Sequence, residues 1–224
     1  MADRELNPEM TLGVTMGCPA GIGPEVIVKY FVYSEDSSSF PAAVLGDRGI
    51  LERTAAALGV DITISDWTPG SSLTRNAINL LQVKTPSLTS VRPGAPDKTT
   101  GTAMAAYIEE AIHLCKTKQS SGILTCTITK KTLNLAGYQF PGHTEMLAER
   151  TGSKQFVMMM AGSQLKVTLA TIHCPFRSIA QLLDQKSIEE LIRITNDALK
   201  NDFGIENPKI AVAGLNPHAG EDRM

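Results

Sequence analysis

Five short stretches hold the side chains that could do chemistry. Pro141-Gly142-His143-Thr144-Glu145 sets an imidazole beside a hydroxyl after a Pro-Gly turn. Both side chains can hydrogen-bond a small polar substrate, although His143 also suits an ordinary helix start. Ile172-His173-Cys174-Pro175 and Leu215-Asn216-Pro217-His218-Ala219-Gly220-Glu221 each set a histidine just past an apolar run. Neutral imidazole is a common ligand for zinc and other divalent first-row metals. Two such histidines on neighbouring strand ends could share one ion; the alternative is that each is structural. Two ligands do not complete a site, which normally takes three protein ligands plus water or substrate. Thr125-Cys126-Thr127-Ile128-Thr129-Lys130-Lys131 offers Thr129 as a helix cap and Lys130 as a cation that reaches an anion or is simply solvated. Met16-Gly17-Cys18-Pro19-Ala20-Gly21-Ile22-Gly23-Pro24-Glu25 is a glycine turn ahead of a helix. Such a turn either exposes its N–H groups to a phosphate or carboxylate or serves as a structural bend. It lacks the Gly-Lys-Ser/Thr of a P-loop and the third glycine of the Rossmann fingerprint. The fourth histidine, His113, lies in an amphipathic helix and reads as structural. No G-x-S-x-G elbow or H-E-x-x-H is present.

The elements that must position these residues follow from periodicity. Thr11–Met16 reads as a buried strand, with Pro24 opening a helix behind it. Ser34, Ser37, Ser38 and Ser39 mark a loop over 33–40. Ala42–Gly46 is a second strand. Asp47 caps a helix through Leu58, which Gly59 ends. Asp61–Ser65 and Leu80–Val83 are weaker strand candidates. Met104, Ile108, Ala111, Ile112 and Cys115 recur at helical spacing within 99–118. Gly122–Thr125 is a strand, followed by a short helix from Thr129. Gln155–Ala161 and Lys166–Ile172 read as strands, Ser187–Asn201 as a helix and Lys209–Ala213 as a last strand. Strands alternating with helices predict an α/β fold with a mostly parallel sheet. Ligands in such folds bind at the carboxyl ends of the strands, where the five stretches fall.

Composition narrows the function classes. The chain has 224 residues, 42% of them apolar, 20% charged and 5% aromatic. This is too apolar for disorder and long enough to bury a core. The net charge of −2 gives no basic footprint for nucleic acid or anionic membrane. No run approaches the ~20 apolar residues of a membrane span. The polar, acidic start (Met-Ala-Asp-Arg-Glu-Leu) does not read as a signal or transit peptide. Cys18, Cys115, Cys126 and Cys174 form no C-x-x-C pair, which suits reduced thiols in the cytoplasm.

In this order and spacing, the set resembles the 4-hydroxythreonine-4-phosphate dehydrogenase family of vitamin B6 (pyridoxine) biosynthesis. The matching motifs are the Gly-Cys-Pro-Ala-Gly-Ile-Gly-Pro-Glu loop, Pro-Gly-His-Thr-Glu, Thr-Ile-His at 171–173 and Leu-Asn-Pro-His-Ala-Gly-Glu. The resemblance implies two α/β/α domains similar to those of isocitrate and isopropylmalate dehydrogenases, here divided as 1–125 and 126–224. It implies a cytoplasmic homodimer with its active site at the interface. It also implies NAD (or NADP) and one divalent ion, zinc, magnesium or cobalt. The reaction would oxidise the C3 hydroxyl of 4-phosphooxy-L-threonine, with loss of CO₂ to give 3-amino-2-oxopropyl phosphate. His143 and Thr144 match the family's substrate-binding pair. His173 and His218 match two of its three metal histidines. The third comes from the partner subunit and belongs to a C-terminal third that this chain lacks, along with the phosphate-binding residues and much of the NAD site. The chain alone is therefore expected not to be a competent dehydrogenase. Cys18 stands where the family usually has an acidic residue, and Thr127 where it usually has proline. Two alternatives stay open: a dehydrogenase of 4-phospho-threonate or 4-phospho-erythronate, and an inactive truncated remnant.

Overall fold

The computed structural model describes residues 11–34 and 41–218. The expected serine-rich loop beyond Ser34 and the Ala219-Gly220-Glu221 end of the last histidine motif lie outside the described residues. The chain divides into two compact units, the first ending at Gly152 and the second starting at Ser153.

In the first unit every strand is parallel. β1 (Leu12–Thr15), α1 (Gly23–Tyr33), β2 (Ala42–Gly46), α2 (Arg48–Leu58), β3 (Thr63–Asp66) and β4 (Ala77–Gln82) come first. α3 (Lys98–Lys116), β5 (Gly122–Thr125), α4 (Lys130–Leu135) and α5 (His143–Thr151) follow. The sheet order is β3-β4-β2-β1-β5. The chain thus builds outward on one side of β1, then returns to add β5 on the other. β2 is buried at all five positions, as a parallel strand covered on both faces must be. Met16, Leu45, Leu51, Leu80, Met104 and Tyr107 are among the largest fully buried side chains.

Local chemistry explains the boundaries. The Asp47 carboxylate accepts from the Ile50 N–H at 3.0 Å, and Gly59 ends α2 at φ 67°. Asp97 and Thr100 form a reciprocal capping box at the start of α3. The two sheet edges differ. At β3 the Arg48 guanidinium donates to the Ile64 carbonyl at 2.9 Å and pairs with Asp66 at 2.6 Å. At β5 nothing comparable is present among the described residues, and Leu124 is 48% exposed.

The sequence reading set a domain boundary after Thr125, whereas the contacts divide the chain 27 residues later, at Gly152. The reason is that α4 and α5 pack on α3. Ile108 and Ile112 of α3 close over Met146 of α5, and Arg150 pairs with Glu109 at 2.6 Å. Gly101 of α3 meets α4 so closely that a β-carbon there would collide with the Thr132 carbonyl.

In the second unit β6 (Met159–Ala161) and β7 (Lys166–Thr168) form an antiparallel pair. They are shorter than the runs 155–161 and 166–172 suggest. A 3-10 turn at Phe176–Ser178, α6 (Ile179–Leu182) and α7 (Gln185–Asn201) follow. The expected strand Lys209–Ala213 does not form among the described residues. No neighbouring strand pairs with its N–H and C=O groups, so apolar composition alone does not make it a strand. The segment instead lines an apolar cavity of about 630 Å³ with β7 and the Ile188–Leu199 face of α7. No helix of the described residues is long and apolar enough to cross a membrane.

The Gly101 contact generates a contrast that chemical denaturation can read. Gly101→Ala should cost about 2–4 kcal/mol, because the α3–α4 backbones must part. Gly59→Ala, strained in φ but with no atom within 4 Å of the added carbon, should cost about 1 kcal/mol. Equal losses would contradict the close-packing account.

Candidate functional site

The glycine turn makes a close backbone approach to the loop after β5. Gly17 has φ +73°, and a β-carbon on it would collide with the Thr127 carbonyl. The Cys18 N–H donates to that same carbonyl at 3.0 Å, and the Gly21 N–H donates to Cys18 O at 2.9 Å. These two donors, which a phosphate cradle would need, are spent on the chain itself. From the other side the Cys126 N–H donates to Thr15 O at 3.1 Å. The carboxyl ends of β1 and β5 are therefore sewn together at the point where the strand order reverses.

Both departures from the family pattern lie in this seam. Thr127 is exposed and uses its carbonyl. Cys18 is 2% exposed. Tyr107 lies in the core with its hydroxyl buried and unpartnered. Burial above all, then the charges of Asp47 and Cys18, push its phenol far above the usual range. Sequence periodicity did not single out Tyr107, since its position in α3 looks like any core site. Burial also raises the Cys126 thiol, which makes it a poor nucleophile. All four cysteines are free.

The seam leads directly into the residues with chemistry. Thr129 takes the N-cap position of α4 but makes no side-chain cap; its N–H points to Met104 Sδ at 3.4 Å. Lys130 is the first residue of α4 and is exposed. Gly142 is the N-cap of α5, and His143, Thr144 and Glu145 form its first turn. His143 and Thr144 are half-buried. The Nε2 atom of His143 is buried with no hydrogen-bond partner. Such a group is costly unless something satisfies it. Burial first, and the Lys130 ammonium second, hold the imidazole below its ordinary pKa of 6.5. The neutral form can serve as either donor or acceptor.

His173 and His218 belong to the second unit. His173 is exposed, between β7 and the 3-10 turn, in a left-handed conformation at φ 52°. A non-glycine residue held there is uncommon. His218 is exposed, and its N–H donates to Asn216 Oδ1 at 2.9 Å. Among the described residues, no three His, Cys, Asp or Glu side chains gather into a metal cluster. The donors present fit a divalent ion in type and fall short in number. His113 is exposed near the carboxyl end of α3.

The depressed basicity of His143 has a measurable sign. In the unfolded chain the imidazole titrates near its ordinary 6.5, and in the folded chain below it. Stability is unaffected above that value and falls as the pH drops through 6.5 toward the folded pKa. An NMR titration should place the His143 imidazole below its ordinary 6.5. His143→Gln should flatten the acid limb of stability against pH. An ordinary pKa for His143 would remove the desolvated-imidazole account.

Residues 38–224 match a family described as pyridoxal phosphate biosynthetic protein PdxA. A 4-hydroxythreonine-4-phosphate dehydrogenase of Desulfosudis oleivorans is 40% identical over 96% of this chain and 64% of its own length. Its namesake from Desulforapulum autotrophicum is 40% identical over 95% of the chain and 63% of its own. The crystal structure of the Klebsiella pneumoniae 4-hydroxythreonine-4-phosphate dehydrogenase superposes with a TM-score of 0.87 at 34% identity, covering 95% of this chain and 66% of that one. A terephthalate 1,2-cis-dihydrodiol dehydrogenase from Burkholderia xenovorans superposes at 0.64 with 28% identity, covering 95% and 63%. The chain thus spans less than two thirds of the length of the curated relatives it matches first. With a parallel sheet, a sewn switch point and a His-Thr turn in the expected order, the chain belongs to the PdxA family.

Proposed function

We propose that the protein oxidises the C3 hydroxyl of 4-phosphooxy-L-threonine to a ketone in pyridoxine 5'-phosphate biosynthesis. The product, 2-amino-3-oxo-4-phosphooxybutanoate, loses CO₂ to give 3-amino-2-oxopropyl phosphate. The observation that carries this reading is 40% identity across nearly the whole chain to proteins named for that reaction.

The residues support it in kind. His143, neutral and with an unused ring nitrogen, and Thr144 beside it can hold a hydroxyl or a phosphate oxygen. Half-burial of the turn shields that hydrogen bond from water. His173 and His218 would supply two imidazoles to a divalent ion, the third ligand coming from outside this chain's described residues. Such an ion, when bound, lowers the pKa of a coordinated hydroxyl and stabilises charge on its oxygen. NAD or NADP is the proposed hydride acceptor. A homodimer that completes the site, in the cytoplasm, is part of the same proposal.

The test is turnover by the full-length enzyme, with 4-phosphooxy-L-threonine and 4-phospho-threonate offered separately and reduced nicotinamide as the readout. We expect turnover of the former, abolished by a chelator. His143→Ala should lower kcat/KM by roughly 10²-fold. His173→Ala should abolish metal retention, measured by elemental analysis. Turnover of 4-phospho-threonate alone would assign the sister reaction, and no turnover of either by a folded dimer would sink both.

A further inference from the structure

The Lys130 ammonium makes no hydrogen bond or ion pair among the described residues, although a carboxylate is close. A methyl group placed on Gly142 would lie 3.8 Å from Lys130 Cε, 4.0 Å from Nζ and 3.4 Å from Glu145 Oε2. The lysine stem therefore crosses in front of the turn that presents His143, and the missing side chain of Gly142 leaves a gap between them. Its charge is felt by the imidazole, whose Nε2 is itself unpartnered. A cation beside an imidazole with an unsatisfied ring nitrogen is not an arrangement that stability favours. It is one that an anionic guest resolves.

We propose that Lys130 is a substrate-binding residue whose ammonium takes an anionic group of the substrate, carboxylate or phosphate, across the Gly142 gap while His143 holds a neighbouring oxygen. An ammonium is a point charge on a flexible stem, so it accepts either group without demanding a bidentate geometry. Lys131, the next residue, lacks this placement against the turn. The inference rests on the dehydrogenase reading above and adds a residue to it.

Steady-state kinetics of the full-length enzyme on 4-phosphooxy-L-threonine tests the proposal. Lys130→Met should raise KM by roughly 10- to 100-fold with kcat nearly unchanged, and Lys130→Arg should regain most of the loss. Inorganic phosphate and L-threonine, used as competitive inhibitors, separate the two groups: the one whose inhibition weakens in Lys130→Met is the one held. Lys130→Gln stands in if the Met variant misfolds. An unchanged KM together with a lower melting temperature would make Lys130 a structural tie between α4 and α5 and overturn the proposal. If His143→Ala also leaves KM unchanged, the site reading itself fails. If His143→Ala alone raises KM, only the role of Lys130 fails.

Discussion

The hydrogen bond from the Cys18 N–H to the Thr127 carbonyl, and the left-handed glycine that lets it form, hold the first unit's site in place. Parallel strands leave a crevice where the strand order reverses, and that crevice is where α/β folds usually admit a ligand. Here backbone hydrogen bonds cross between the two loops that leave β1 and β5. Gly17 has to be glycine for the Met16–Gly23 turn to approach the Cys126–Thr127 loop. Once that approach is made, the loop leaving β5 has little freedom. It delivers Lys130 to the first position of α4, and α4 in turn is fixed against α3 through Gly101. The turn bearing His143 then follows within one short connection.

Much of this was legible in the sequence because it is local. β2 was read at its true bounds, since five consecutive buried positions leave a continuous apolar run. The Asp47 cap and the Gly59 stop bound α2 as capping chemistry predicts. The family is legible from its motifs as an ordered set. What escaped was set by non-local partners. Lys209–Ala213 has the composition of a strand, but a strand needs a neighbour to pair with. The division at Gly152 instead of Thr125 depends on packing of α5 against α3, which periodicity cannot see. The glycine turn was ambiguous because glycines permit both a cradle and a close approach, and only the destination of the Cys18 and Gly21 donors decides. The nearness of Lys130 to His143 is a tertiary fact with no signature in spacing.

The Tyr107 hydroxyl links a departure in sequence to an energetic one in structure. Position 18 contributes to the field around that buried phenol. With cysteine there, the hydroxyl has no partner and its ionisation is further suppressed. A buried hydroxyl left unpaired costs roughly 1–3 kcal/mol. The core around α3 therefore carries a local weakness at the level of side chains, although the backbone bonds of the seam are intact.

The two edges of the sheet carry different consequences for the chain outside its native context. Arg48 occupies the Ile64 carbonyl and Asp66 adds a charge, so the β3 edge cannot easily template a foreign strand. The β5 edge has no such gatekeeper among the described residues, and Leu124 is half exposed. At high concentration, self-association of this unit would begin on that one side, through strand-to-strand addition. The two edges of one sheet thus differ in how readily a further strand could add to them.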